Sequence, residues 1–157
     1  MNRRRFLLAT AGSSFALAGC SELSNLWGTP HRVEEMEFRR VDDIDALHLL
    51  EEEDGSYPPE GFEAAEVEGE ERPILVVQGI ARGGSWDCYT TELENTSYRD
   101  GVFSFTVDHV DDSERSQDCP DVEEGHPYEI YLVFENSHIP DEVNGQHGES
   151  FENTVEL

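Results

Sequence analysis

From Pro73 onward the chain reads as short apolar runs separated by turn residues. Ile74-Leu75-Val76-Val77 is a continuous β-branched and aliphatic run, the pattern of a strand covered on both faces, and Gly79 to Gly84 supply turn residues after it. Trp86 to Leu93 are predicted as the next strand. After the turn signal Asp100-Gly101, Val102 to Val110 alternate strictly: Phe103, Phe105 and Val107 share one face, and Ser104, Thr106 and Asp108 the other. Pro127 to Phe134 make a further, largely apolar strand. At the end of the chain Phe151, Asn153, Val155 and Leu157 alternate with Glu152, Thr154 and Glu156. Strands at this spacing, with few helical segments, predict a mainly β fold over residues 73–157: an antiparallel, immunoglobulin-like β-sandwich or a small barrel. There is no internal repeat.

The preceding stretch, residues 33–72, is harder to read. Met36, Phe38 and Val41 fit a strand, whereas Ile44, Leu47 and Leu50 recur at helical spacing. Gly55, Pro58-Pro59 and Gly61 mark a turn or loop. First strands and partial disorder both remain open for this acidic segment. Residues 20–32, with Gly28 and Pro30, read as a short tether.

Charge sharpens this picture. The chain of 157 residues, room for one modest core, carries 36 acidic side chains against 10 basic ones, and all ten are arginine. The first 19 residues hold three of those arginines and no acid, so removing them leaves 7 cations against 36 anions, a formal charge of -29. Such self-repulsion opposes compaction at low salt and is screened at molar ionic strength, where the Debye length falls to about 3 Å. Carboxylates also hold water without the long apolar stem of lysine. The composition therefore predicts a halophilic protein. Low mean hydropathy, -0.60, would also suit a disordered chain, but the ordered alternation after Pro73 argues for a folded domain. An acidic surface argues against nucleic-acid partners.

The first 19 residues carry an address. Asn2-Arg3-Arg4-Arg5-Phe6 sets paired arginines, Arg3 and Arg4, before an apolar stretch that is free of ionisable side chains through Gly19 and too short and weak to span a bilayer. Leu17-Ala18-Gly19-Cys20 resembles the lipobox of prokaryotic lipoproteins. That resemblance implies a twin-arginine signal over residues 1–19, a lipid on Cys20 and a protein held on the extracytoplasmic face of the cell membrane. It also implies export in an already folded state. Two acyl chains on one cysteine anchor stably, whereas one does not.

With Cys20 assigned to lipid, Cys88 and Cys119 remain, and an oxidising exported location predicts a disulfide between them. A thiol nucleophile or a soft-metal site would need partners at family spacing, and none is nearby. Trp86 would share a strand face with Cys88 and pack against that bridge. Asn95-Thr96-Ser97 is an N-glycosylation acceptor pattern, expected in a loop after the second strand. His31, His48, His109, His126, His138 and His147 are scattered without zinc-ligand spacing, and Met1 and Met36 lie far from the Cys119 and His126 that a cupredoxin would need. Asp108, Asp111, Asp112 and Glu114 depart from the EF-hand pattern, and Ser85 from the G-x-S-x-G elbow. No metal, cofactor or catalytic group is predicted.

The series Gly79-Ile80, Cys88-Tyr89-Thr90, Glu92-Leu93, Gly101 with the strand to Val107, Cys119, Tyr128, Ile139-Pro140 and Val143 looks like small lipoproteins and secreted proteins of haloarchaea, over residues 74–148. The resemblance brings no activity with it. The expected function is a lipid-anchored binding or cell-envelope interaction module, with the membrane as partner through Cys20 and an envelope protein as a further one. An envelope enzyme or accessory subunit, or an ion- or solute-binding lipoprotein, is the alternative.

Overall fold

The computed structural model describes residues 32–50, 59–67, 70–112, 119–135 and 139–157. Arg3, Arg4, Leu17, Ala18, Gly19 and Cys20, the signal and lipid residues read from the sequence, lie outside them. The described residues form a β-sandwich of two four-stranded sheets. The first sheet has the order β1 (Val33–Arg40), β6 (Glu124–Phe134), β3 (Ile74–Gly83), β2 (Gly61–Glu66). The second has the order β4 (Tyr89–Arg99), β5 (Val102–Asp111), β7 (Glu142–His147), β8 (Phe151–Glu156).

Period-two alternation builds the core between the sheets. Leu75, Val77 and Ala81 of β3 and Tyr128, Ile130, Leu132 and Phe134 of β6 face Phe103, Phe105 and Val107 of β5 and Val143 of β7. The apolar run at Ile74 is covered on its other face too. Among the described residues of 33–72 the chain makes β1, β2 and, between them, a 3-10 turn at Ile44–Ala46 capped by the Asp43 carboxylate. Leu47 and Leu50 from that connection seal Ile80 on the outer face of the first sheet. The Gln78 side chain fixes the strap, its Oε1 accepting from the backbone N–H of His48 at 2.8 Å and of Leu49 at 2.9 Å. Spacing that resembles a helix is thus met by an irregular segment lying over a strand.

Four observations differ from the sequence pattern. β3 continues through Gly79 to Gly83, residues that the pattern marks as a turn, because this stretch pairs with Glu124 to Tyr128 of β6. β7 falls in a stretch that the pattern did not mark as a strand. β5 and β7 pair in parallel, because β6 between them crosses to the opposite sheet and the chain returns running in its earlier direction; the other ladders are antiparallel. And Trp86 to Cys88 are not strand: they form a turn closed by Cys88 N–H and Tyr89 N–H donating to the Ser85 carbonyl, so β4 begins at Tyr89.

Cys88 and Cys119 form a disulfide with Cα atoms 5.7 Å apart. It pins the start of β4 to the long connection that carries the chain from one sheet to the other.

Candidate functional site

Two places gather polar chemistry. The first is buried at the end of the sandwich where β3 finishes and β6 starts. Tyr128 on β6 and His147 on β7 meet across the core, Oη to Nε2 2.7 Å, and His147 Nδ1 lies 3.2 Å from Glu60 Oε1. One proton arrangement satisfies all three groups: the phenol donates to Nε2, and Nδ1–H donates to the carboxylate. Burial enforces it. Tyr128 and His147 are 0% and 2% exposed. Desolvation holds the phenol protonated, with its pKa raised well above the ordinary value. Desolvation, and next the nearby His109, push His147 down to about 4, so its ring is neutral at neutral pH. Desolvation also raises the Glu60 carboxyl.

The cluster extends through aromatic contacts. His147 stacks on Phe151 with ring centres 4.7 Å apart, and Trp86 stacks on His126 at 4.9 Å. The Trp86 indole N–H donates to the Gly125 carbonyl at 3.1 Å, and its backbone N–H to Glu124 Oε2 at 2.7 Å. Its ring partner is therefore an imidazole, not the disulfide anticipated from strand spacing. His126 Nε2 donates to the Gly84 carbonyl at 2.6 Å, and His109 stands edge-on to His126 at 4.8 Å. His109 Nε2 is buried without a hydrogen-bond partner, and burial lowers its pKa. Gly79 makes the arrangement possible, since a Cβ there would lie 2.3 Å from the Tyr128 hydroxyl.

Among the described residues no group of three or more His, Cys, Asp or Glu side chains is placed to hold a metal ion. His147 is drawn together with Glu60, and His109 with His126, as the spacing of the sequence did not foresee, while His31, His138 and Glu114 lie outside the described residues. Cys119 is committed to its disulfide. The cavity beside His126, bounded also by Trp86, Tyr89 and Thr91, has a volume of about 40 Å³, enough for a water and not for a substrate. The triad is suited to holding two sheets in register and to storing or releasing a proton between them.

The second place is open. A cleft of about 480 Å³ lies on the outer face of the second sheet, lined by Glu94, Asn95, Thr106, Asp108, Gln146 and the turn at Gly148-Glu149. Its size is that of a small-molecule site, but its walls are carboxylates, amides and a hydroxyl instead of apolar rings. Asn95 is on β4, not in the loop expected from the sequence. The sequence exposes half of this cleft, in the outward set Ser104, Thr106 and Asp108. The contribution of Gln146 and Glu149 depends on β7, which alternation alone did not reveal. No family model, curated protein or solved structure matches the chain.

Proposed function

We propose that the chain is a lipid-anchored, extracytoplasmic lipoprotein of haloarchaeal type whose β-sandwich serves as a binding or cell-envelope interaction module. The observation that carries this reading is the pairing of Arg3-Arg4 and the apolar stretch with Leu17-Ala18-Gly19-Cys20, placed ahead of a folded, disulfide-braced domain. A lipid on Cys20 holds the protein at the membrane, and the strongly acidic composition fits a salt-rich surrounding.

Strand direction supports an orientation. The chain enters the sandwich at Val33, which pairs with Phe134, while β3 and β6 meet at Gly83 and Glu124 at the other end. A tether leading into Val33 leaves the Trp86 turn and the Cys88–Cys119 bridge at the far end, turned away from the lipid. That end, with the outer face of the second sheet, is the surface offered to an envelope partner.

Fractionation of wild type and Cys20→Ala tests the anchor: wild type is expected with membranes and the variant in the soluble fraction. A variant that stays on the membrane through a molar-salt wash overturns lipid anchoring. Cross-linking on intact cells tests the module. Defined adducts with an envelope component are expected for wild type and should fall several-fold for Cys20→Ala; an exported protein that forms none overturns the interaction reading.

A further inference from the structure

The tripeptide Asn95-Thr96-Ser97 and the cleft beside it belong together. β4 is an edge strand of the second sheet, and its pairing with β5 slips at one point: Leu93 is opposite Val107, and Asn95 opposite Thr106, so Glu94 is an extra residue. Under strict alternation Asn95 would share the inward face of Leu93, which packs on the core. The bulge inverts this. Glu94 and Asn95 both face out, Thr96 turns in and is 8% exposed, and Ser97 is exposed again on the face of Asn95. The asparagine amide and the hydroxyl two residues later, the two groups that define an acceptor tripeptide, therefore stand on one solvent-facing side of an edge strand.

We infer that Asn95 carries an N-linked glycan whose first sugars lie in the cleft formed by Thr106, Asp108, Gln146, Gly148 and Glu149. The inference rests on the proposed export, and it needs the acceptor to be reachable in the folded protein, since that route passes folded chains. Exposure at the bulge meets that need. The bond formed joins the Asn95 side-chain nitrogen to the anomeric carbon of the first sugar. The bond broken is from that carbon to the phosphate of a lipid-linked oligosaccharide donor, which departs with the electron pair while one amide proton is released. The cleft offers what sugar hydroxyls bond to: carboxylate oxygens of Asp108 and Glu149, the Gln146 amide and the Thr106 hydroxyl. Among the described residues its walls carry no aromatic platform, which suits a covalently delivered sugar better than one captured from solution.

The test uses full-length protein expressed in a halophilic archaeal host and purified from its envelope, with mass spectrometry of the reduced tryptic peptide ending at Arg99. The expected result is a peptide heavier by whole sugar units, with the gain lost in Asn95→Gln and in Ser97→Ala. An unmodified peptide in protein whose N-terminus begins at a lipidated Cys20 overturns the glycan while leaving export standing. An intact N-terminus at Met1 overturns export, and this inference with it. Seating in the cleft is tested by melting. Loss of the glycan in Asn95→Gln should lower the midpoint in an otherwise wild-type chain, and lower it less in a Gln146→Ala chain. Equal shifts in the two backgrounds overturn the seating.

Discussion

His147 shows how one buried side chain makes a fold sensitive to acid. In the unfolded chain an imidazole titrates near 6.5, whereas in the sandwich desolvation holds His147 at about 4. A folded state that binds fewer protons than the unfolded one is fully favoured above the unfolded pKa and loses that advantage as pH falls through the folded one. His147 should therefore withdraw up to about 3 kcal/mol between pH 6.5 and 4. His109, also lowered by burial, acts in the same direction. The raised Glu60 carboxyl has the opposite sign: its contribution is present at low pH and lost as pH rises through its folded value. Urea unfolding at fixed molar salt checks the balance. Wild type should lose stability across that window and His147→Gln should be distinctly flatter; identical pH slopes would mean that His147 is not the sensing group.

At the scale of elements, a strand is clearest in the sequence where its inward residues are apolar and its outward ones polar. β5 is the clearest, with Phe103, Phe105 and Val107 inward and polar residues between them. β7 uses the same alternation but sets Val143, Gly145 and His147 on the buried face, and two of these three carry no apolar signal. Gly145 is there because the rings of Phe62 and Phe105 occupy the space, each with an atom 2.5 Å from where a Cβ would be. Gly145→Ala should accordingly cost about 1–3 kcal/mol, read as a lower urea midpoint at unchanged slope; an unaffected midpoint would show that the rings can yield. β1 and β2 are hard to read in the sequence because acids interrupt short apolar sets, as at Glu35 and Glu37 around Met36. The Tyr128–His147–Glu60 contact was illegible for another reason: Glu60 and His147 are 87 residues apart and meet only through the strand order. The bridge between Cys88 and Cys119, by contrast, followed from counting cysteines. With a separation of 31 residues, replacing both by serine should cost roughly 3 to 4 kcal/mol in the chain-entropy view, measured as the drop in unfolding free energy. A change below a few tenths would mean that the connection after β5 is already constrained without it.

For the whole molecule, charge sets the conditions. Surface ion pairs among the described residues, such as Arg72 with Glu34 and Arg82 with Glu123, draw on a chain with only seven arginines after Arg5, and the proposed halophilic reading expects salt to screen the remaining repulsion. Circular dichroism should show the thermal midpoint rising steadily between about 0.01 M and 1 M salt, as the screening length shrinks from about 30 Å to about 3 Å. A midpoint unchanged over that range would remove the halophilic reading.

Strand order adds a matter of timing. β6 is the inner partner of both β1 and β3, with Val33 paired to Phe134, so the first sheet cannot close until nearly the entire chain has left the ribosome. Until then the chain holds β1 apart from the β2–β3 hairpin, with the unpaired edges that invite aggregation. A polypeptide ended before Glu124 has nothing to insert between them. Under the proposed export, a route that accepts only folded cargo would inspect completeness as well as shape: a truncated chain would never become presentable, and the proposed anchor at the N-terminus, the first part to be made, would be honoured last.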